Sequence, residues 1–144
     1  MNRFAICALL VGLGCSLTAR AESVLVLNSE ETSYSIIDRA TRAEIGRLPL
    51  GREPHHIAVT PDGNEVLLAS TVTNDLVALD TKTGEPRRIV RDIVDPYHLG
   101  FSPDGKWFVT VANRLDHIDI YRGSDFKLVS RIFVESVPSH LAFD

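Results

Sequence analysis

A phrase of about ten residues recurs along this chain at a fixed interval of 42 residues. REPHHIAVTPDG at 52–63 returns as VDPYHLGFSPDG at 94–105, and VPSHLAFD at 137–144 begins the phrase a third time. Between 54–63 and 96–105, five of ten positions are identical. A constant period of this size predicts a chain built from equivalent structural units, each contacting its neighbours.

Each repeat contains four short segments of strand-like sequence that are separated by turn residues. Around the first copy of the phrase these runs lie at 56–60, 65–70, 75–80 and 86–91, and Pro-Asp-Gly at 61–63 is typical of a tight turn. No run has the 3.6-residue period of a helix over a useful length. The repeat therefore predicts four antiparallel strands and excludes helical repeats of similar size.

Four antiparallel strands every 42 residues are typical of one blade of a β-propeller, so the predicted fold class is all-β. The repeats fall at about 23–64, 65–106 and 107–144. The apolar runs at 24–27, 66–69 and 108–111 suit strands buried on both faces between blades. The fourth run, with Arg87, Arg88 and Arg91 or with Lys127 and Arg131 one period later, is more polar and suits the outer rim.

The number and phase of the repeats predict an incomplete ring. Closed propellers have about four to eight blades, whereas about three repeats are present here. Ser23 aligns with the second strand of a blade, so we expect the first strand of that blade to come from elsewhere. We therefore expect the N-terminal portion of a longer propeller, the alternative being a ring made of several copies.

The first 21 residues have the pattern of a secretory signal peptide. A basic start at Arg3, an apolar run at 4–18 and Ala-Arg-Ala at 19–21 follow one another. We expect cleavage that leaves residues 22–144, and a periplasmic or extracellular location. The alternative is a lipoprotein anchored at Cys15, because the residues before it partly resemble a lipidation motif.

The mature chain is acidic and lacks cysteine. Cys7 and Cys15 both lie in the leader, so neither disulfides nor cysteine-held zinc is expected. Without Arg3 and Arg20 the chain has 13 basic and 19 acidic residues, a net charge of −6, and no basic cluster. We therefore expect no binding to nucleic acid and no transmembrane segment in the mature chain.

The motif Pro-x-His-[IL]-[AG]-[VF]-[ST]-Pro-Asp-Gly, with VALDTKTGE at 77–85, resembles the YVTN-repeat β-propeller family. The resemblance covers every residue after the leader, although the tetrapeptide that names the family reads LVLN at 25–28. It implies an exported propeller, commonly seven-bladed and often without known enzymatic activity. Related propellers include lactonases, haem d1 proteins and the copper-cluster domain of nitrous oxide reductase.

Three histidines, His56, His98 and His140, occupy one phase of the repeat. Propeller geometry predicts them at the start of each innermost strand, around one rim of the channel. Neutral imidazoles there could contact copper, zinc, haem iron or another ligand, or they could bridge strands by hydrogen bonds. His55 is expected on the opposite face from His56, and His117 in a turn, exposed to solvent.

The remaining polar residues of interest are expected to have structural roles. Asp38 and Asp80 each end a strand, where a carboxylate accepts backbone N–H bonds of the turn, and Asp62 and Asp104 belong to Pro-Asp-Gly turns. Trp107 is expected in the core. No nucleophile elbow, Ser-His-Asp order or phosphate-binding loop is found, so no catalytic residue is assigned.

Two functions are compatible with the sequence. The first is a non-enzymatic binding scaffold for an unknown protein or small ligand, with no cofactor expected. The alternative is an enzyme or cofactor carrier that uses the channel mouth, either lactonase-like or a haem or copper redox propeller. In either case His56, His98 and His140 are the candidates for contact with a ligand or cofactor, beside the structural role given above, and fold alone cannot choose between the two functions.

Overall fold

The computed structural model describes residues 23–144, which form three antiparallel sheets. We call them blade 1, blade 2 and blade 3. The strands are Ser23–Asn28 (β1), Ser33–Asp38 (β2) and Glu44–Pro49 (β3) in blade 1; Pro54–Val59 (β4), Glu65–Ser70 (β5), Asp75–Asp80 (β6) and Pro86–Arg91 (β7) in blade 2; and Pro96–Phe101 (β8), Trp107–Ala112 (β9), His117–Arg122 (β10) and Leu128–Phe133 (β11) in blade 3. A 3-10 turn at Asn113–Leu115 precedes β10.

Each sheet is a meander in which consecutive strands pair, so the predicted all-β fold of repeated antiparallel blades is confirmed. β1, β5 and β9 share one phase of the repeat, and β1 pairs only with β2. Blade 1 therefore contains the second, third and fourth strands of a blade. The first strands β4 and β8 contact each other, as innermost strands near a propeller axis do.

Turn residues fix where the strands end. The carboxylate Oδ1 of Asp80 accepts the backbone N–H of Lys82 at 2.6 Å and of Thr83 at 3.0 Å, and Asp38 accepts that of Thr41 at 2.6 Å. These bonds lower the pKa of both carboxyls. The predicted structural role of Asp38 and Asp80 is thus confirmed. Blade 3 has Arg122 at this phase, which forms an ion pair with Asp125 instead.

The core lies between the blades. Along the run at 66–69, Val66 and Leu68 pack toward blade 1, where they meet Tyr34 and Ile36. Leu67 and Ala69 pack toward blade 3 in a cluster that includes Leu99, Phe108 and Tyr121. A strand with both faces in contact reads as a continuous apolar run, and each buried Leu contributes about 1.5–3 kcal/mol.

Two burial predictions fail at the outer blades. Trp107, predicted in the core, is 43% exposed, and Val24 and Val26 in the run at 24–27 are 51% and 42% exposed. The reason is that these side chains lie on the faces of blades 1 and 3 that no other blade covers within residues 23–144. In the same part of the chain, no helix is long and apolar enough to cross a membrane.

Candidate functional site

The innermost strands of blades 2 and 3, β4 and β8, both begin with the same irregularity in their strand pairing. In β4 the pairing with β5 shifts between Pro54 and His56, so that His55 is the extra residue of a bulge. The β8–β9 pairing shifts at the same phase, between Pro96 and His98. A bulge re-aims the side chains beside it. It also removes the simple alternation on which the predicted opposite orientation of His55 and His56 depended.

The structure brings the three predicted histidines together. The ring centroids of His56 and His98 are 3.9 Å apart and those of His98 and His140 are 4.9 Å apart, with tilted planes. We call these residues the histidine row. It runs from blade 2 to blade 3 and on to the C-terminal segment, where His140 follows the last strand and its Nδ1 lies 3.0 Å from Ser139 Oγ.

A second ring pair lies beside the histidine row. His55 and Tyr97, which share a phase of the repeat, have ring centroids 3.8 Å apart. His55 Nδ1 is also 3.0 Å from the carbonyl oxygen of Tyr97. Each of the two adjacent histidines of β4 therefore contacts its repeat equivalent in blade 3. Two ring contacts, His55 with Tyr97 and His56 with His98, therefore cross the boundary between blades 2 and 3 side by side.

Burial lowers the pKa of two members of the histidine row, His98 and His56. It lowers the pKa of His98 to about 4, with further lowering from the neighbouring His56 and His140. Burial also lowers the pKa of His56, followed by the effects of His55 and His140. The Nδ1 atom of His98 is buried and has no hydrogen-bond partner among the described residues. At neutral pH His56 and His98 therefore offer uncharged imidazoles, and His98 has an unused ring nitrogen.

The prediction for His117 was wrong. This residue begins β10 and is only 3% exposed, because the 3-10 turn closes before it and its Nδ1 lies 3.1 Å from the carbonyl oxygen of Leu115. Its Nε2 is 3.5 Å from a carboxylate oxygen of Asp119. His117 is thus a buried residue of blade 3 and lies outside the histidine row.

Asp119 is the charged residue that the sequence reading missed. It is fully buried, accepts two hydrogen bonds from Arg131 at 2.7 and 2.8 Å, and accepts one from the hydroxyl of Tyr121 at 3.1 Å. These bonds hold the Asp119 pKa below its ordinary value against the opposing effect of burial. The equivalent positions are Ser35 in blade 1 and Val77 in blade 2, so only the departure from the repeat signals this residue.

Within residues 23–144, no three His, Cys, Asp or Glu side chains are grouped so that they could hold a metal ion. The rings of the histidine row make close contacts with tilted planes. The histidine row therefore consists of three imidazole rings in tilted contact, with one unpaired nitrogen at His98.

The repeated blades, with their innermost strands side by side, define a β-propeller. The chain belongs to the YNCE-like beta-propeller family, which matches residues 5–144. This membership agrees with the YVTN-type resemblance of the repeats. No curated protein sequence matches the chain significantly.

Solved propellers share the fold. The periplasmic gluconolactonase PpgL of Pseudomonas aeruginosa has a TM-score of 0.70 and 15% identity over 84% of this chain and 39% of its own. Hydrazine synthase of Kuenenia stuttgartiensis has a TM-score of 0.65 and 20% identity over 79% of this chain and 33% of its own. Dihydro-heme d1 dehydrogenase NirN, in complex with DHE, has a TM-score of 0.62 and 23% identity over 78% and 24%. The chain thus spans between a quarter and two fifths of the length of these structures.

Proposed function

We propose that this protein is an exported β-propeller that acts as a non-enzymatic binding scaffold, and that the histidine row contacts its ligand. The observation that carries the proposal is the buried Nδ1 atom of His98, which has no hydrogen-bond partner. A buried polar atom left unpaired costs about 1–3 kcal/mol. Ser70 Oγ, Thr110 Oγ1 and His117 Nε2 are also buried without a hydrogen-bond partner among the described residues, but only His98 Nδ1 belongs to the histidine row.

The protonation state of the row indicates which ligands suit it. A neutral imidazole donates one hydrogen bond and accepts another, whereas its protonated form only donates. Because burial keeps His98 neutral at physiological pH, the row suits a ligand that pairs with both kinds of group. A protein loop or a small polar molecule meets this requirement. The exposed ring of His140 at the end of the row leaves room for stacking.

Native mass spectrometry of the full-length protein, purified from its own host, tests the proposal. The wild type is expected to carry a bound molecule, and His98→Phe, which keeps a ring of similar size without nitrogen atoms, is expected to lose it. The matched control is Trp107→Phe, which alters an exposed ring of blade 3 away from the row. Equal occupancy of the wild type and His98→Phe, or no bound molecule in either, contradicts the proposal.

A cofactor carrier or channel-mouth enzyme is the second candidate. It is favoured by the same unpaired nitrogen and by the similarity to a dehydrogenase solved with DHE and to a gluconolactonase. The test is analysis of copper, zinc and haem in the protein as isolated, together with hydrolysis of gluconolactone. Retained metal or haem, or turnover that His98→Phe abolishes, would favour this candidate over the scaffold.

Export rests on residues 1–21, which lie outside the described residues. We expect the mature protein made with its own leader to begin at Glu22, in the periplasm or outside the cell, as an intact mass would show. An acylated start at Cys15, which also lies outside the described residues, would instead indicate a membrane-anchored lipoprotein.

A further inference from the structure

Arg114 makes an unusual set of contacts at the edge of blade 3. It lies in the 3-10 turn between β9 and β10. Its backbone N–H donates to Asp95 Oδ2 at 2.8 Å and its Nε donates to Asp95 Oδ1 at 2.9 Å. Its Nη2 donates at 2.8 Å to the carbonyl oxygen of Thr71, which belongs to blade 2. One side chain therefore bridges two blades.

The contacts of Arg114 converge on the loops that lead into the histidine strands. Asp95 precedes β8 directly, and Glu53, at the same phase of the repeat, precedes β4. Arg114 Nη1 lies 3.5 Å from Glu53 Oε2. Thr71 donates its own N–H to the carbonyl oxygen of Glu53 at 3.2 Å. The guanidinium thus connects both entry loops, each of which ends three residues before a histidine of the row.

These entry loops need to be held in place. Glu53 and Asp95 have φ angles of 51° and 45°, a left-handed conformation that costs a residue other than glycine about 1 kcal/mol or more. Asp95 is 2% exposed, and its N–H donates to Asn74 Oδ1 at 2.8 Å. A buried carboxylate of this kind requires a charged partner. Arg114 is the only residue described here that forms an ion pair with it.

We propose that Arg114 is a positioning residue of the histidine row, which sets the separation of His56 and His98 by fixing both entry loops across the boundary between blades 2 and 3. It acts through Glu53, Asp95 and Thr71 and does not touch the ligand. The role depends on the planar fork of a guanidinium, which the ammonium of lysine cannot reproduce. The same phase in blade 2 is Val72, so within residues 23–144 the boundary between blades 1 and 2 has no equivalent of this arginine. The inference rests on the proposed function of the row as a ligand site.

The test compares Arg114→Lys and Arg114→Met with Arg122→Met in the full chain. Arg122 is a suitable control because it is similarly exposed, belongs to blade 3 and forms an ion pair with Asp125, away from the row. Nuclear magnetic resonance of the histidine rings gives two readouts that need no ligand. These are the contact between the His56 and His98 ring protons and the titration of His98. His55, His56 and His140 are the titratable groups that act on His98.

Both Arg114 variants are expected to weaken the ring contact and to move the His98 titration from about 4 toward the ordinary value of about 6.5. Arg122→Met is expected to change neither. An unchanged contact and titration in Arg114→Lys would overturn the proposal, and this milder variant keeps the test decisive if Arg114→Met does not fold. The proposed function is tested separately by native mass spectrometry, where the absence of a bound molecule in the wild type would contradict it without affecting the ring contact or the His98 titration.

Discussion

The imidazole rings of His56 and His98 lie 3.9 Å apart although 42 residues and a blade boundary separate them in the chain. Each residue follows a bulge at the same phase of its blade. Because neighbouring blades repeat the same structure, the two rings lie at equivalent positions and meet across the blade boundary. Close packing of like ionisable groups has a direct consequence. Each ring that became protonated would face a neighbour of the same kind in a partly buried place, which disfavours the charged state.

The first prediction is a loss of stability in mild acid. Since the pKa of folded His98 is about 4 and that of an unfolded histidine is about 6.5, the unfolded chain binds the proton first. The free energy of unfolding is therefore expected to be highest above pH 6.5 and to fall as the pH decreases toward 4. Denaturant unfolding at a series of pH values measures this.

His98→Phe provides the control for that pH series. Its profile is expected to be flatter between pH 6.5 and 4, because one of the two shifted histidines is absent. The comparison of the two profiles cancels the contribution of carboxyl groups such as Asp62, whose pKa is held at about 2 by hydrogen bonds from Thr60 and Asn64. Equal slopes for the wild type and His98→Phe in this window would contradict the assignment to the histidine row.

The second prediction concerns the buried ion pair of blade 3. Arg131→Met leaves the carboxylate of Asp119 buried without its charged partner, which is expected to cost about 3–5 kcal/mol of unfolding free energy. Arg122→Met, which removes an exposed pair, is expected to cost less than about 1 kcal/mol. Chemical denaturation compares the two. Similar losses of unfolding free energy in both variants would show that the buried Asp119–Arg131 pair stabilises the fold no more than the exposed Arg122–Asp125 pair.

The third prediction tests how the blades fit together. Between blades 1 and 2 a Cβ atom on Gly84 would lie 3.0 Å from Ile36 Cδ1, whereas the equivalent positions between blades 2 and 3 are Phe126 and Ala78. Gly84→Phe alone is expected to destabilise by at least about 2 kcal/mol, because Gly84 has a φ of 73° and little space beside it.

Ile36→Ala opens the space that the new ring needs. The double variant is therefore expected to lose less than the sum of the two single variants, by about 1 kcal/mol or more. If the double variant loses as much unfolding free energy as the two single variants together, the new ring does not fill the space left by Ile36. The packing between blades 2 and 3 would then not be transferable to the boundary between blades 1 and 2.

The fold could be predicted from the sequence because the information is local and repeated. Pro61-Asp62-Gly63 and its copy 42 residues later fix the turns, and the run at 66–69 is continuous because β5 contacts a blade on each side. The same reasoning misjudged Trp107 and Val24, which lie at faces that no described blade covers. Whether the outer face of the first or last blade is buried depends on the neighbour that packs against it, and the 42-residue period does not identify that neighbour.

The site could be predicted only in part. The repeat phase placed His56, His98 and His140 together, but ring contact depends on the bulges at His55 and Tyr97, which no residue pattern announced. A polar residue of a strand is buried when a neighbouring strand or blade covers its side chain, which the sequence of the strand itself does not reveal. Asp119 was missed for this reason.

The central claim is that the unpaired nitrogen of His98 serves a ligand and not the fold, and the unfolding free energy of His98→Phe tests it most directly. Replacing an unsatisfied buried polar atom by carbon is neutral or stabilising, whereas removing a satisfied one costs about 1–3 kcal/mol. His117→Phe is the matched control: its Nε2, like His98 Nδ1, has no hydrogen-bond partner among the described residues, but its Nδ1 contacts the Leu115 carbonyl oxygen, so the loss of that contact is expected to destabilise. An unfolding free energy of His98→Phe equal to or above that of the wild type is the predicted result. A loss as large as that of His117→Phe would contradict the claim and assign His98 a structural role.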